Sequence, residues 1–227
     1  MPEFNVREYG SDVIFGMPDG PKTKWKETAY LGVYILEEYE PIGTQNLKTE
    51  DLINELGKVP NNIRKYITSI VLAPFSHPHQ EWFNKRMGRE GNAFASANPE
   101  LGQITIYAIP KERAILKETL SKHFTLAHEA GHIIDAVIQQ PEFGFFAYSP
   151  KWSKAMCEDS RVERNRSDLP SYLVSPYAEE MKSLRDDFAD SVMYFSSEGR
   201  YKEFLKENFP NRYKILEELL GENGTIQ

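Results

Sequence analysis

Leu126-Ala127-His128-Glu129-Ala130-Gly131-His132-Ile133-Ile134-Asp135 is the stretch around which the other segments of the chain arrange themselves. Residues 112–140 contain no proline, and Ile115, Leu120, Phe124, Ala127, Ile134 and Ile138 trace an apolar stripe, so the spacing predicts a helix. On a helix, residues four apart differ by about 40° around the axis and about 6 Å along it. His128 and His132 therefore share a face, and two imidazoles so placed suit one Zn²⁺. Glu129 falls beside such an ion, where a carboxylate takes a proton from water. The competing reading is a buried helix with two satisfied core histidines. Gly131 costs about 1 kcal/mol relative to Ala inside a helix, so it predicts a close backbone approach near the metal.

A catalytic zinc takes three protein ligands, and two histidines leave one to be found. The best stretch is Arg185-Asp186-Asp187-Phe188-Ala189-Asp190-Ser191, on a helix predicted from about Tyr177 to Phe195 with Pro176 at its start. Asp186 and Asp190 are four apart. One can ligate while the other accepts the N–H of a ligating histidine. Paired acids also describe a solvated face, but Phe188, Ala189, Val192, Met193 and Phe195 make this helix partly buried, where a carboxylate needs a partner. Asp187, Glu179 and Glu180 stand as alternative ligands.

Upstream, residues 1–28 are polar and turn-rich, and little regular structure is expected there beyond a short strand near Val13–Phe15. Residues 29–39 read as a strand. Thr49 is placed to cap a helix closed by Gly57 and Pro60, Asn61–Tyr66 adds a helical turn or two, and Ser69–Ala73 is a short strand. His77 and His79 fall in a polar stretch with Pro78 between them and read as surface loop. Gly102–Ile109 is the clearest strand, with Phe94–Ala97 as its hairpin partner, and it is expected to be the sheet edge along which an extended peptide lies. Downstream, residues 140–175 are loop-rich with a short helix at Trp152–Cys157. Residues 199–220 form two amphipathic helices broken at Phe209-Pro210, with Tyr213, Leu216 and Leu220 inward.

LAHEAGHIID followed some fifty residues later by DDFADSVMYF resembles the catalytic domain of anthrax lethal factor and the related clostridial Pro-Pro endopeptidases. There, an HExGHxxD helix precedes a helix carrying E-x-F-A-E. The resemblance covers roughly residues 60–220. It implies His128 and His132 as ligands, Glu129 as general base, Asp186 in the place of the ligand glutamate with Asp190 behind a ligating histidine, and Asp135 as a supporting acid. Two positions differ. Asp186 is one methylene shorter than the family's Glu, so its helix must come closer. The family's catalytic tyrosine stands seven residues before that ligand, where this chain has Glu179, so the role passes to Tyr177, with Tyr172 as substitute.

The 227 residues are 40% apolar and 27% charged with a net charge of −7, an ordinary globular composition. No run of Lys or Arg exceeds two, which argues against nucleic acid or an anionic membrane as partner. Cys157 is the only cysteine, so no internal disulfide forms, and it reads as a structural or surface thiol. No stretch is apolar for eighteen residues, and no export signal is visible; the resemblance implies secretion, while the chain itself fits the cytoplasm equally. The expectation is a single α+β metallopeptidase domain of the zincin type over 1–227, with an N-terminal extension at 1–28, a small twisted sheet and the metal helix at 29–140, and a loop-rich, helical lower part at 141–227. It would act as a monomer on a peptide or protein through metal-activated water, with Glu129 as base and a tyrosine steadying the oxyanion. The rivals are a zinc hydrolase acting on another amide and a catalytically silent binding or toxin-scaffold domain.

Overall fold

The computed structural model describes residues 4–10, 22–39, 47–74, 94–108, 124–138, 142, 144–161, 173–175, 178 and 183–221. The fold is α+β: a six-stranded mixed sheet followed by a helical C-terminal part. The chain gathers into two compact units, residues 1–58 with 67–126, and residues 59–66 with 127–227.

The first unit holds the sheet, in order β1-β2-β3-β4-β6-β5. The residues are β1 Phe4–Gly10, β2 Lys22–Tyr30, β3 Val33–Glu38, β4 Ser69–Ala73, β5 Ala95–Asn98 and β6 Gln103–Tyr107. β1, β2 and β3 run antiparallel in sequence, β4 joins β3 and β6 in parallel, and β5 closes antiparallel on β6. Ile70 opposite Ile104 and Leu72 opposite Ile106 put buried, β-branched and Leu side chains at the centre. All five β6 residues are buried, as in a strand covered on both faces. Helix α1, Thr49–Leu56, lies in the crossover that the parallel β3–β4 pair requires.

Several expectations change here. Residues 1–28 are more ordered than their polarity suggested, because β1 and most of β2 lie in them. The signal was one buried aromatic residue in a polar run: Trp25 packs with Leu36 and Val71, and Tyr9 leans on them. The polar side chains pair across the strands, with the Tyr9 hydroxyl donating to Glu27 at 2.6 Å. Val13–Phe15 lies outside the described residues, as do His77 and His79. The single strand expected over 29–39 is instead a hairpin: Leu31 (φ 50°) and Gly32 (φ 82°) turn the chain in two residues, closing Tyr30 on Val33. The α1 cap falls on Lys48, one residue early, because the Thr49 hydroxyl is engaged by Glu37 at 2.6 Å. Strand β6 is interior, flanked by β4 and β5, so it is not the edge; the outermost described strand on that side is β5.

The second unit holds α2 Asn61–Arg64 and then α3 Thr125–Val137 from Ala127 onward, α4 Pro150–Asp159, α5 Leu184–Ser196, α6 Arg200–Asn208 and α7 Pro210–Leu220. Its core is aromatic: Phe146, Trp152 and Phe188 meet edge to face with centroids 4.8–6.2 Å apart. Ser149 caps α4 by accepting the Trp152 N–H, with Pro150 in the first helical position. Helix α5 starts at Leu184 rather than near Tyr177, because Ser183 caps it. The break between α6 and α7 falls at Phe209-Pro210 as expected. The inward stripe of α7 is corrected: Arg212, Leu216 and Leu220 are fully buried, whereas Tyr213 is partly buried against Phe195.

Candidate metal centre

The site lies within the second unit, between α3 and α5. The pairing runs in opposite directions along the two helices: His128 meets Asp190, Gly131 meets Ala189, and Asp135 meets Arg185. Gly131 is the point of closest approach. A Cβ built there would stand 2.6 Å from the Ala189 Cα, nearer than any real side chain comes. The expectation of close packing at Gly131 therefore holds, and it brings the short side chain of Asp186 to the histidines.

Among the described residues, one group could hold a metal ion: His128, His132 and Asp186, whose ligand atoms all lie within 4.8 Å of one another. Asp186 Oδ1 is 3.6 Å from His132 Nε2 and 3.9 Å from His128 Nε2. Tetrahedral zinc with bonds of about 2.0–2.2 Å sets its ligand atoms roughly 3.3–3.6 Å apart, close to the two Asp186–histidine separations. Two imidazole nitrogens and one carboxylate oxygen are the donor chemistry of an open zinc site.

The other acids of the motif have separate tasks. Asp190 Oδ1 accepts the Nδ1 proton of His128 at 2.7 Å, so in the neutral ring the lone pair is on Nε2, the nitrogen facing Asp186. Asp187, one residue beyond Asp186, is fully buried and receives the Arg212 guanidinium at 2.8 and 2.9 Å and the Val174 N–H at 2.8 Å. Asp135, also fully buried, accepts the Ala147 N–H at 2.7 Å and Arg185 Nε at 3.1 Å, tying α3 to the Phe146–Tyr148 turn and to α5. Glu129 is nearly buried at 8% exposure, close enough for its charge to act on His128. Tyr177, Tyr172, Glu179 and Glu180 lie outside the described residues. His132 Nδ1 is buried without a hydrogen-bond partner among the described residues.

The electrostatics suit a cation. Burial by itself would lower the His128 pKa, but Asp190, Glu129 and Asp186 outweigh it and raise it to about 9. Burial would raise the Asp186 carboxyl, yet the approach of His132, the contact with Ser183 and the charges of both imidazoles hold it below the ordinary carboxylate range. Without metal, the cluster attracts a proton where a divalent ion would sit.

Three partners of the buried acids escaped the sequence reading: Ser175 on Asp190, Arg185 on Asp135, and Arg212 on Asp187 and Asp159. Arg212 was within reach, since it lies four residues before Leu216 and eight before Leu220 on the apolar stripe. Ser175 carries no signal beyond preceding Pro176.

Compared with known proteins, the chain matches no protein-family model and no curated protein.

Proposed function

We propose that the chain is a zinc-dependent endopeptidase, of the zincin type suggested by its two motifs. The observation that carries the reading is the convergence of His128, His132 and Asp186 from two helices, with the charge of Glu129 acting on His128. A bound Zn²⁺ would supply a Lewis acid that acidifies water and polarises the scissile carbonyl. His128, His132 and Asp186 would hold it. Glu129, nearly buried, takes the proton of the attacking water and returns it to the leaving amine. Asp190 keeps His128 in the tautomer that offers Nε2. Tyr177 is the proposed donor to the oxyanion, on the ground that an oxygen held from one side still gains from a second donor.

The test is metal analysis of purified protein joined to digestion of a peptide library with and without chelator. About one zinc per chain and chelator-sensitive cleavage are expected. A chain without zinc, or one that keeps zinc and cuts no peptide, overturns the endopeptidase reading.

A further inference from the structure

We infer that Ser175 is a positioning residue of this site, acting on His128 through Asp190; the inference rests on the metal reading above. Ser175 is buried. Its hydroxyl accepts the Ala178 N–H at 3.0 Å and donates its one proton to Asp190 Oδ2. The other oxygen of Asp190 holds the His128 Nδ1 proton. A carboxylate fixed at a single oxygen can rotate about its Cβ–Cγ bond and release the ring. Fixed at both, it holds the imidazole plane, and with it the direction of the Nε2 lone pair.

The Ser175 segment is itself anchored. The Val174 N–H donates to Asp187, and Asp187 is gripped by Arg212, whose Nε donates to Asp159 at 2.9 Å. Three acids of α5 thus divide the work. Asp186 faces the ion, Asp187 holds the backbone beside Ser175, and Asp190 carries the effect of Ser175 to His128. A serine that merely capped the turn at Ala178 would affect stability and leave the histidine ring alone.

The experiment compares wild type, Ser175→Ala, Ser175→Thr, Asp190→Asn and the Ser175→Ala/Asp190→Asn double variant. Zinc affinity is read by chelator competition, and the ¹⁵N shifts of the His128 ring are read in metal-free protein. Ser175→Ala is expected to weaken zinc about 10- to 100-fold, the scale of losing an outer partner of a ligand, and to move the ring shifts. Ser175→Thr, which keeps the hydroxyl, restores both. Ser175→Ala adds no further loss on the Asp190→Asn background. Should the alanine variant fail to fold by circular dichroism, Ser175→Cys keeps the volume with a weaker donor and carries the same expectation. Wild-type affinity and ring shifts in Ser175→Ala, or an equal loss on both backgrounds, overturn the inference. A wild-type chain that takes up no zinc overturns the metal reading and the inference together, and the wild-type arm alone tells the two failures apart.

Discussion

Within the site, neighbouring acids are told apart by what touches them. Asp186 and Asp187 are adjacent in sequence and identical in chemistry, yet one faces two histidines and the other a buried guanidinium. Their replacements should therefore separate. Asp186→Ala is expected to abolish tight zinc binding with little loss of fold, and Asp190→Asn to weaken zinc about 10- to 100-fold; metal titration of the two variants checks the order, and the reverse order would exchange their roles. Glu129→Ala should retain the metal and lose hydrolysis, and loss of zinc from that variant would make Glu129 a ligand instead of a base. The histidine pair was legible in the sequence because helical spacing alone brings residues four apart together. Ser175 was not, since its partner Asp190 lies 15 residues away and nothing local marks a hydroxyl for that use.

For the elements, the decisive contact is that of α3 on α5. Gly131 sits in the middle of α3, where glycine is costly, and the cost is offset by backbone approach to Ala189. Gly131→Ala should push the helices apart, with a loss of about 1–3 kcal/mol typical of overpacking and a parallel fall in zinc affinity, followed by urea unfolding and chelator competition. A variant as stable as wild type, with unchanged affinity, would mean that the helices separate freely. Helix α5 shows where sequence reading stops. Its apolar positions predicted burial, but its start was placed near Tyr177, because Pro176 is a good first residue and Ser183 is an equally good cap. The strands of residues 4–30 were missed for another reason: a hairpin stabilised by cross-strand polar pairs and a single Trp25 lacks the apolar alternation by which strands are recognised.

Over the whole molecule, the α+β order was readable from the succession of short apolar runs followed by helical periodicity, while the mixed order of the strands was not, since pairing across long separations leaves no local trace. No helix among the described residues is long and apolar enough to cross a membrane. The helices of the second unit are held together by protein contacts, so removal of zinc by chelator should leave the far-ultraviolet circular dichroism unchanged and lower Tm only by the binding linkage; collapse of the spectrum on chelation would make the metal a folding element. Asp159–Arg212–Asp187 is a buried polar triad, with all three side chains fully buried. Burial by itself raises the Asp187 carboxyl above its usual value, against the pull of Arg212. Arg212→Met leaves two acids without their cation and is expected to cost about 3–5 kcal/mol, read by chemical unfolding; a loss near zero would show that the acids are neutralised otherwise. The order of these three residues also sets a clock on biosynthesis. Arg212 follows Asp187 by 25 residues and Asp159 by 53, so at about 5–20 residues per second a growing polypeptide carries both acids for roughly one to five seconds before their counter-charge exists. Until that arginine leaves the ribosome, Asp187 and Asp159 lack their buried counter-charge, so α5 completes its packing only after α7 has been made.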